Sequence, residues 1–320
     1  MYAILKKIII YITILTFSCG VFSLSQNMSF FISTYAGVEF GVFEEAYYFE
    51  DDSKYSDDIC SLLEWEQKPS LFLGLNTEVN FNSFDIFADF SVKFPIKCGI
   101  MKDSDYWENG VNFNYSESEN YVDKAFSVST GIGYVFNLSK LFLEPKIIAS
   151  YSYNSFKAKN GHGWYAGPSF SSDGQLHSWD SEYAHYFPDG KYHLAKVNYE
   201  NQTFFFMTGF EISKKFFKKW DTAAGFYFAP FTYSYAKDHH LGKSNNFYTE
   251  DYIYNYFKNY VIEISNDFLI NKHIAICSVV TGNLQLLTTG EDYLNGYVNN
   301  QKGGESYRSL KVILGTKFIF

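Results

Sequence analysis

This sequence has few cysteines and no long apolar run beyond its N-terminus, and both absences narrow its class. If an N-terminal segment is removed after Ser23, three cysteines remain, Cys60, Cys98 and Cys277. An odd number argues against a full disulfide framework, so we expect no structural bridge. No later stretch approaches the ~18 consecutive apolar residues of a membrane helix. Phosphate-binding Gly-rich loops, a Gly-x-Ser-x-Gly elbow and paired Cys-x-x-Cys motifs are also absent.

Positive charge is in short supply as well, while aromatic residues are abundant. The formal net charge is −9, which makes nucleic acid an unfavourable partner and cationic molecules suitable ones. Aromatics make up 21% of the chain, with 34 Phe and 28 Tyr, although mean hydropathy is slightly negative. Apolar residues are therefore diluted by alternating polar ones, and this composition is typical of a transmembrane β-barrel.

The N-terminus has the features of an export signal. Lys6 and Lys7 precede an apolar core at 8–17, and Ser23 ends a cleavage-like segment. We predict a signal peptide at 1–23 and a mature domain at 24–320, with lipoprotein processing at Cys19 as the alternative. Export without a second membrane helix places the protein in the periplasm, in the outer membrane or outside the cell.

Hydrophobic periodicity is close to two along most of the chain, which predicts β-strands. Short turns alternate with long polar connections near 50–60, 102–120, 160–192, 241–246 and 289–304, as in outer-membrane barrels. The fold class predicted is all-β, a ten-stranded antiparallel transmembrane up-and-down barrel with long extracellular loops. The predicted strands are 29–49, 61–81, 83–101, 121–136, 140–159, 193–213, 219–240, 247–268, 272–288 and 305–320.

Strand parity brings two polar motifs to the same place. An even strand count puts both termini on the periplasmic side, so strands three and seven both end at the extracellular rim. On strand three the even positions, Cys98 among them, are predicted to face lipid, which turns Asp103 and Asp105 inward. On strand seven the aromatics from Tyr227 onward are odd, so the even residues Asp238 and His240 also face the lumen.

These four side chains suit the activation of a water molecule. Residues i and i+2 on a strand share a face, roughly 6.6 Å apart. Asp238 can therefore orient His240 as a general base. Two nearby carboxylates resist ionising together, so Asp103 and Asp105 are expected to share a proton and donate to a developing oxyanion. We expect neither a metal ion nor another cofactor.

Several stretches, in collinear order over about 37–320, resemble the omptins, outer-membrane proteases with ten-stranded barrels. The stretches are Ser61-Leu62-Leu63-Glu64-Trp65, Met101-Lys102-Asp103-Ser104-Asp105-Tyr106-Trp107, Phe187-Pro188-Asp189-Gly190, Asp238-His239-His240 with Gly242-Lys243, and Gly315-Thr316-Lys317-Phe318-Ile319-Phe320. Each motif is weak alone, but five in order on the predicted strands are fairly specific.

The resemblance implies an endopeptidase that cleaves polypeptides next to basic residues without a covalent intermediate. It assigns Asp238 and His240 to the dyad and Asp103 and Asp105 to the opposing couple. Glu45 would bind the basic side chain, inward parity selecting it over its neighbour. A second acid usually precedes the dyad by two residues, and that position holds Ala236. Implied partners are cationic peptides or proteins and outer-membrane lipid, around a monomer in the cell outer membrane whose active site faces outward.

Other interpretations stay open. Asp103-Ser104-Asp105 alone is typical of a solvated loop, and His177, Asp180 and His185 form a weak candidate metal site. The barrel could lack activity and serve as a surface adhesin or binding protein. It could also be a small porin, although ten strands leave a lumen largely filled by side chains. Cross-paired inward charges at Lys93, Lys97, Lys146, Glu78 and Glu211 would plug such a lumen.

Overall fold

A computed structural model describes residues 28–50, 53–188, 197–241 and 247–320 of the chain. The predicted signal peptide at 1–23, with Cys19, lies outside these residues. Within them, no helix has the length and apolarity needed to span a membrane.

Fourteen β-strands occupy most of the described residues, and every pairing between them is antiparallel. The strands are β1 (Met28–Tyr48), β2 (Ile59–Phe81), β3 (Phe84–Lys93), β4 (Lys97–Tyr106), β5 (Asn112–Tyr134), β6 (Phe136–Leu138), β7 (Leu141–Tyr165), β8 (His185–Phe187), β9 (Val197–Phe216), β10 (Trp220–His240), β11 (Phe247–Asn255), β12 (Asn259–Asn271), β13 (Ile274–Leu294) and β14 (Tyr297–Ile319).

These strands close into a barrel with ten walls. The pair β3 and β4 forms one wall between β2 and β5, and the pair β11 and β12 forms another between β10 and β13. The first strand pairs with both β2 and β14, so the ring has no free edge. The prediction of a ten-stranded antiparallel barrel is therefore confirmed.

Two of the predicted long loops are largely strand. The third predicted strand breaks at 94–96, around Pro95, and resumes as β4 through Tyr106, while β5 begins at Asn112. The predicted loop 289–304 is mostly a β13–β14 ladder closed by a tight turn at Asn295 and Gly296, both with positive φ. Both faces of these segments lie outside the apolar, lipid-facing part of the barrel, so both faces carry polar side chains. A segment that is polar on both faces lacks the alternation that predicts a strand, and it was therefore predicted as a loop.

We call the barrel end with the connections 49–58 and 107–111 the loop end, and the end with the Asn82-Ser83 turn the turn end. Outward-facing apolar side chains ring the half nearer the turn end; we call this surface the apolar belt. Such a belt is the lipid-facing surface of outer-membrane barrels. Members at least 40% exposed include Phe40, Leu73, Ile86, Phe90, Ile132, Ile147, Phe206, Ile212, Ile262, Val280, Leu310 and Leu314.

A layer of aromatic side chains crosses the lumen, buried except for the half-buried Tyr307. We call it the aromatic septum, and its members are Phe43, Trp65, Phe156, Tyr199 and Tyr307. The Trp65 ring stacks on the Tyr199 ring, 5.4 Å between centroids. Phe43 lies 4.0 Å from Tyr307 and 5.5 Å from Phe156. Because these residues come from β1, β2, β7, β9 and β14, they tie together walls distributed around the ring.

Between the septum and the turn end lies a polar cavity of about 740 Å³. Ion pairs cross its walls: Lys93 Nζ lies 2.9 Å from Glu39 Oε2, and Lys146 Nζ lies 3.1 Å from Glu211 Oε2. Four of the five charges predicted to face the lumen, Lys93, Lys146, Glu78 and Glu211, line this cavity. The prediction for Lys97 was wrong: its side chain is 51% exposed and pairs with Glu119, because the break at 94–96 redirects the start of β4.

Two parity assignments were also wrong, each because of a local irregularity. Cys98 does not face lipid but is buried, with its Sγ directed at the carbonyl of Glu66, next to a register shift at the start of β4. Tyr227 is buried in the lumen, 3.5 Å from Glu211. A bulge between Phe228 and Phe231 switches the inward set of β10 from odd to even residues. Cys60, Cys98 and Cys277 are all free thiols.

Candidate active site

Asp238 and His240 lie together at the loop end of β10. Beyond the bulge the even residues of this strand point inward, and Asp238 is fully buried. His240 Nε2 lies 2.6 Å from Asp238 Oδ2, although neither Asp238 oxygen is aligned with a donor as a full hydrogen bond requires. The imidazole stacks on the Phe247 ring, 4.3 Å between centroids. The ring is thus held between a carboxylate and an aromatic face.

Asp103 and Asp105 lie on β4, in another wall of the same end. Asp103 is opposite Leu63 of β2 and two residues past the buried Met101. Asp105 accepts a hydrogen bond from Asn114 Nδ2 at 3.1 Å. Both aspartates lie near Tyr165, where burial and these two negative charges raise the pKa of the phenol. Asp105 is thereby tied to the neighbouring strand β5.

Glu45 points into the lumen and Glu44 points out, as parity predicted. The Glu45 side chain is fully buried and accepts a hydrogen bond of 2.7 Å from the Tyr47 hydroxyl. That hydroxyl also lies 2.5 Å from Thr249 Oγ1, which is opposite Asp238 in the β10–β11 ladder. Glu44, in contrast, pairs with the chain's single arginine, Arg308, at 2.7 Å. Glu45 is thereby joined through Tyr47 to β11, the strand that pairs with the end of β10 that carries Asp238.

Three further buried acids surround Glu45, and sequence reasoning missed them. Asp251, Asp292 and Glu305 are 1–3% exposed, and with Glu45 we call them the acid cluster. Glu45 lies five residues past Phe40 of the apolar belt, roughly 16 Å along the strand. Inward parity on β11 and β13 is the sequence signal for Asp251 and Asp292, but only the observed strand register brings them beside Glu45.

Burial and mutual repulsion raise the pKa values of the carboxyl groups in the acid cluster. Burial, then the charges of Asp238 and Asp251, hold the pKa of Glu45 well above its usual range. Burial, then Asp292, does the same for the pKa of Asp251. Burial also raises the pKa of Asp292, although hydrogen bonds from Asn299 and Asp251 oppose the change. A cation placed among these carboxyls would offset the cost of burying their charges and would relieve their mutual repulsion.

Three of the candidate residues lie at a similar depth along the barrel, just past the buried cluster that contains the septum. Glu45, Asp103 and Asp238 each follow by two residues a member of one buried cluster, Phe43, Met101 and Ala236 respectively. Side chains two apart on a strand share a face. All three acids therefore follow the same packed layer towards the loop end. Burial, then the charges of Asp105 and Asp292, raise the pKa of the Cys60 thiol to about 11.

Parts of the resembling motifs fall elsewhere. The segments Gly242-Lys243 and Asp189-Gly190 lie outside the described residues. His177 contacts Asp173 Oδ2 at 2.9 Å and stacks on Tyr183. In the described ranges, no three or more His, Cys, Asp or Glu side chains are grouped so that they could hold a metal ion.

Comparison with known proteins gives a fold likeness. No protein-family model matches the sequence, and no curated protein matches it. The solved structure of the outer membrane protease OmpT from Escherichia coli aligns with a TM-score of 0.77 at 16% sequence identity, covering 93% of this chain and 99% of that one. The translocator domain of the autotransporter NalP from Neisseria meningitidis also aligns, at a TM-score of 0.35 and 8% identity, covering 94% of this chain and 91% of that one. The chain therefore has the fold of the OmpT barrel, an all-β outer-membrane barrel with a ring of ten hydrogen-bonded strands.

Proposed function

We propose that this barrel is an outer-membrane endopeptidase that cleaves polypeptides next to basic residues at its extracellular loop end. Asp238 and His240 form the dyad that activates water, and Asp103 and Asp105 form the opposing couple. Glu45 binds the basic side chain of a cationic peptide or protein. The protein acts as a monomer held in outer-membrane lipid by the apolar belt.

The reaction is a direct hydrolysis. His240 takes a proton from water, through the ring nitrogen that does not face Asp238, as the water oxygen attacks the peptide carbonyl carbon. Asp238 stabilises the imidazolium that results. The Asp103–Asp105 couple holds the other side of the water and donates to the developing oxyanion. When the C–N bond breaks, the imidazolium returns its proton to the leaving amine.

The observation that carries the proposal is the 2.6 Å approach of His240 to the buried Asp238, beside an acid cluster and above a packed septum. A surface histidine paired with a carboxylate would be unremarkable on its own. Here the pair lies beside the buried acid cluster. The negative charge of that cluster favours binding of a cationic substrate next to the general base His240.

Peptide cleavage by the refolded protein tests the proposal. We expect wild-type protein to cut peptides that contain Arg-Arg, Arg-Lys or Lys-Lys bonds and His240→Ala to lose at least about 100-fold in rate, since general bases contribute roughly 10²–10⁴-fold. His239→Ala is the matched control, because His239 is the adjacent histidine on the opposite face, where its ring packs edge-to-face against Tyr248. If folded wild-type protein cuts none of these peptides, in detergent or with added lipid, the protease proposal fails and the inactive binding barrel remains as the alternative.

The packing of the lumen speaks against a porin. The septum fills the barrel with rings from five strands, and the cavity on its turn-end side is crossed by ion pairs. The absence of a carboxylate at Ala236 is what favours the second candidate, an inactive barrel that serves as an adhesin or binding protein.

A further inference from the structure

The strand register places a carboxyl directly beside the position where one is missing. Ala236 of β10 is paired with Asp251 of β11, and Asp251 in turn is paired with Asp292 of β13. Directly opposed residues of an antiparallel pair project to the same face, with Cβ atoms about 4.5–5.5 Å apart. An acid removed from position 236 is thus replaced, one strand along the ladder, by the carboxyl of Asp251.

The surrounding backbone is shaped to receive that carboxyl. Ala236 and Asp251 are both 1% exposed. A Cβ atom placed on Gly303 of β14 would lie 1.8 Å from Asp251 Oδ1 and 2.2 Å from its Cγ. The carboxyl of Asp251 therefore occupies the space that any larger residue at position 303 would fill. The small residues at 236 and 303 flank it on both sides.

Buried polar atoms without partners converge on the same place. Among the described residues, Glu45 Oε2, Asp251 Oδ1 and Asp292 Oδ1 have no hydrogen-bond donor. The hydroxyl of Tyr199 is buried beside them, and after burial the charges of Glu45, Glu305 and Asp251 raise its pKa. Glu305 differs, since Asn201 and Gln285 donate to its two oxygens. Unsatisfied buried acceptors are costly, and a ligand that brings N–H donors would satisfy them.

We infer that Asp251, supported by Asp292, is the specificity-determining acid that holds the positively charged side chain of the substrate in place of the carboxyl missing at Ala236. This inference rests on the proposed function and identifies the residues of the site that recognise the substrate side chain. Glu45 approaches the same space from β1, so the bound cation lies between carboxyls of three strands. A guanidinium or ammonium supplies the charge and the N–H donors that the three unpartnered oxygens lack.

The test compares matched peptides with arginine, lysine or the neutral isostere citrulline before the scissile bond. We expect Asp251→Asn to lower kcat/KM for the arginine and lysine peptides by about thirtyfold or more, as for the loss of one partner of a buried charge pair, and to lower it much less for the citrulline peptide. Asp85→Asn is the control: Asp85 is a buried acid that lines the cavity on the other side of the septum. The double variant Ala236→Asp/Asp251→Asn should recover much of the lost selectivity.

Binding separates this inference from the proposed function. In a His240→Ala background, the affinity for the arginine peptide is measured by fluorescence anisotropy with and without Asp251→Asn. If wild-type protein cuts nothing but Asp251→Asn weakens binding tenfold, the cation pocket stands and the protease fails. If cleavage or binding of the arginine peptide is insensitive to Asp251→Asn in a folded barrel, the inference is overturned. Asp292→Asn provides the same reading should Asp251→Asn fail to refold.

Discussion

At the scale of single residues, the direction of a side chain determines whether it belongs to the candidate site or to the outer surface of the barrel. Glu44 and Glu45 are adjacent and chemically identical, yet one pairs with Arg308 outside the barrel and the other is buried beside Asp238. The same holds for His239 and His240, of which only the second lies 2.6 Å from Asp238. Alternation along a strand is therefore what separates a candidate site residue from surface charge.

The buried acids should make cation binding depend on pH. Because the pKa values of Glu45 and Asp251 are held well above their ordinary values of 4.5 and 3.8, these groups stay partly neutral where free carboxyls are fully ionised. A raised acid pKa means that negative charge appears only as pH rises, so affinity for an arginine peptide should keep increasing well above pH 4.5. The groups that face this site are Glu45, Tyr47, Tyr199, Asp238, Asp251, Asp292 and Glu305.

Peptide affinity measured between pH 5 and pH 8 checks this expectation. The His240→Ala background removes titration of the dyad imidazole from the measurement. Asp251→Asn combined with Asp292→Asn should flatten the profile. An affinity that is constant over this range in the background protein would contradict the expectation.

At the scale of strands, a local irregularity of β10 determines which of its residues face the lumen at the candidate site. Without the bulge between Phe228 and Phe231, the inward parity of Tyr227 would continue along β10 and would turn Asp238 out of the lumen. Pro230 lies within the bulge, where its missing N–H costs no ladder hydrogen bond. Asp238 was predicted on the correct face because the aromatics beyond the bulge share its register, whereas Tyr227 lies before the bulge and was predicted on the wrong face.

The fit between β11 and β14 gives a prediction at this scale. Gly303→Ala should push the Asp251 carboxyl out of its space and reduce selectivity for arginine over citrulline by about tenfold, without removing any charge. Gly282→Ala is the matched control, because a Cβ at Gly282 of β13 would meet no atom within 4 Å. Unchanged selectivity in a folded Gly303→Ala barrel would show that the position of Asp251 is not critical.

At the scale of the whole molecule, the septum divides the barrel into two chambers. On its loop-end side lie the acid cluster, Asp238 and His240; on its other side lies a cavity crossed by ion pairs. Under the proposed function, substrate and products would therefore enter and leave through the loop end. A barrel of ten strands is narrow enough for side chains to achieve this closure.

Conductance in a planar bilayer checks the closure. Wild-type protein should show no steady ion conductance, whereas Trp65→Ala combined with Phe156→Ala should open a measurable pathway, since these stacked rings fill the centre of the septum. Phe90→Ala, on the lipid-facing surface, controls for loss of an aromatic ring without a change in the lumen. Steady conductance by the wild-type protein would revive the porin interpretation.

The sequence by itself determined the fold class, the ten walls and the inward direction of Glu45, Asp103, Asp105, Asp238 and His240. These follow from local alternation, because a strand with one face in lipid must repeat every two residues. The pattern weakens beyond the belt, where both faces are polar, and for that reason the β13–β14 extension was predicted as a loop.

Only the tertiary structure decided which residues on different strands meet. Asp251 is in line with Ala236 and Asp292 because of the register between strands, and that register depends on pairing along the whole ladder. The bulge of β10, the septum and the space left by Gly303 are likewise products of packing around the closed ring. Alternation fixes the face on which a side chain lies, whereas closure of the barrel fixes its neighbours.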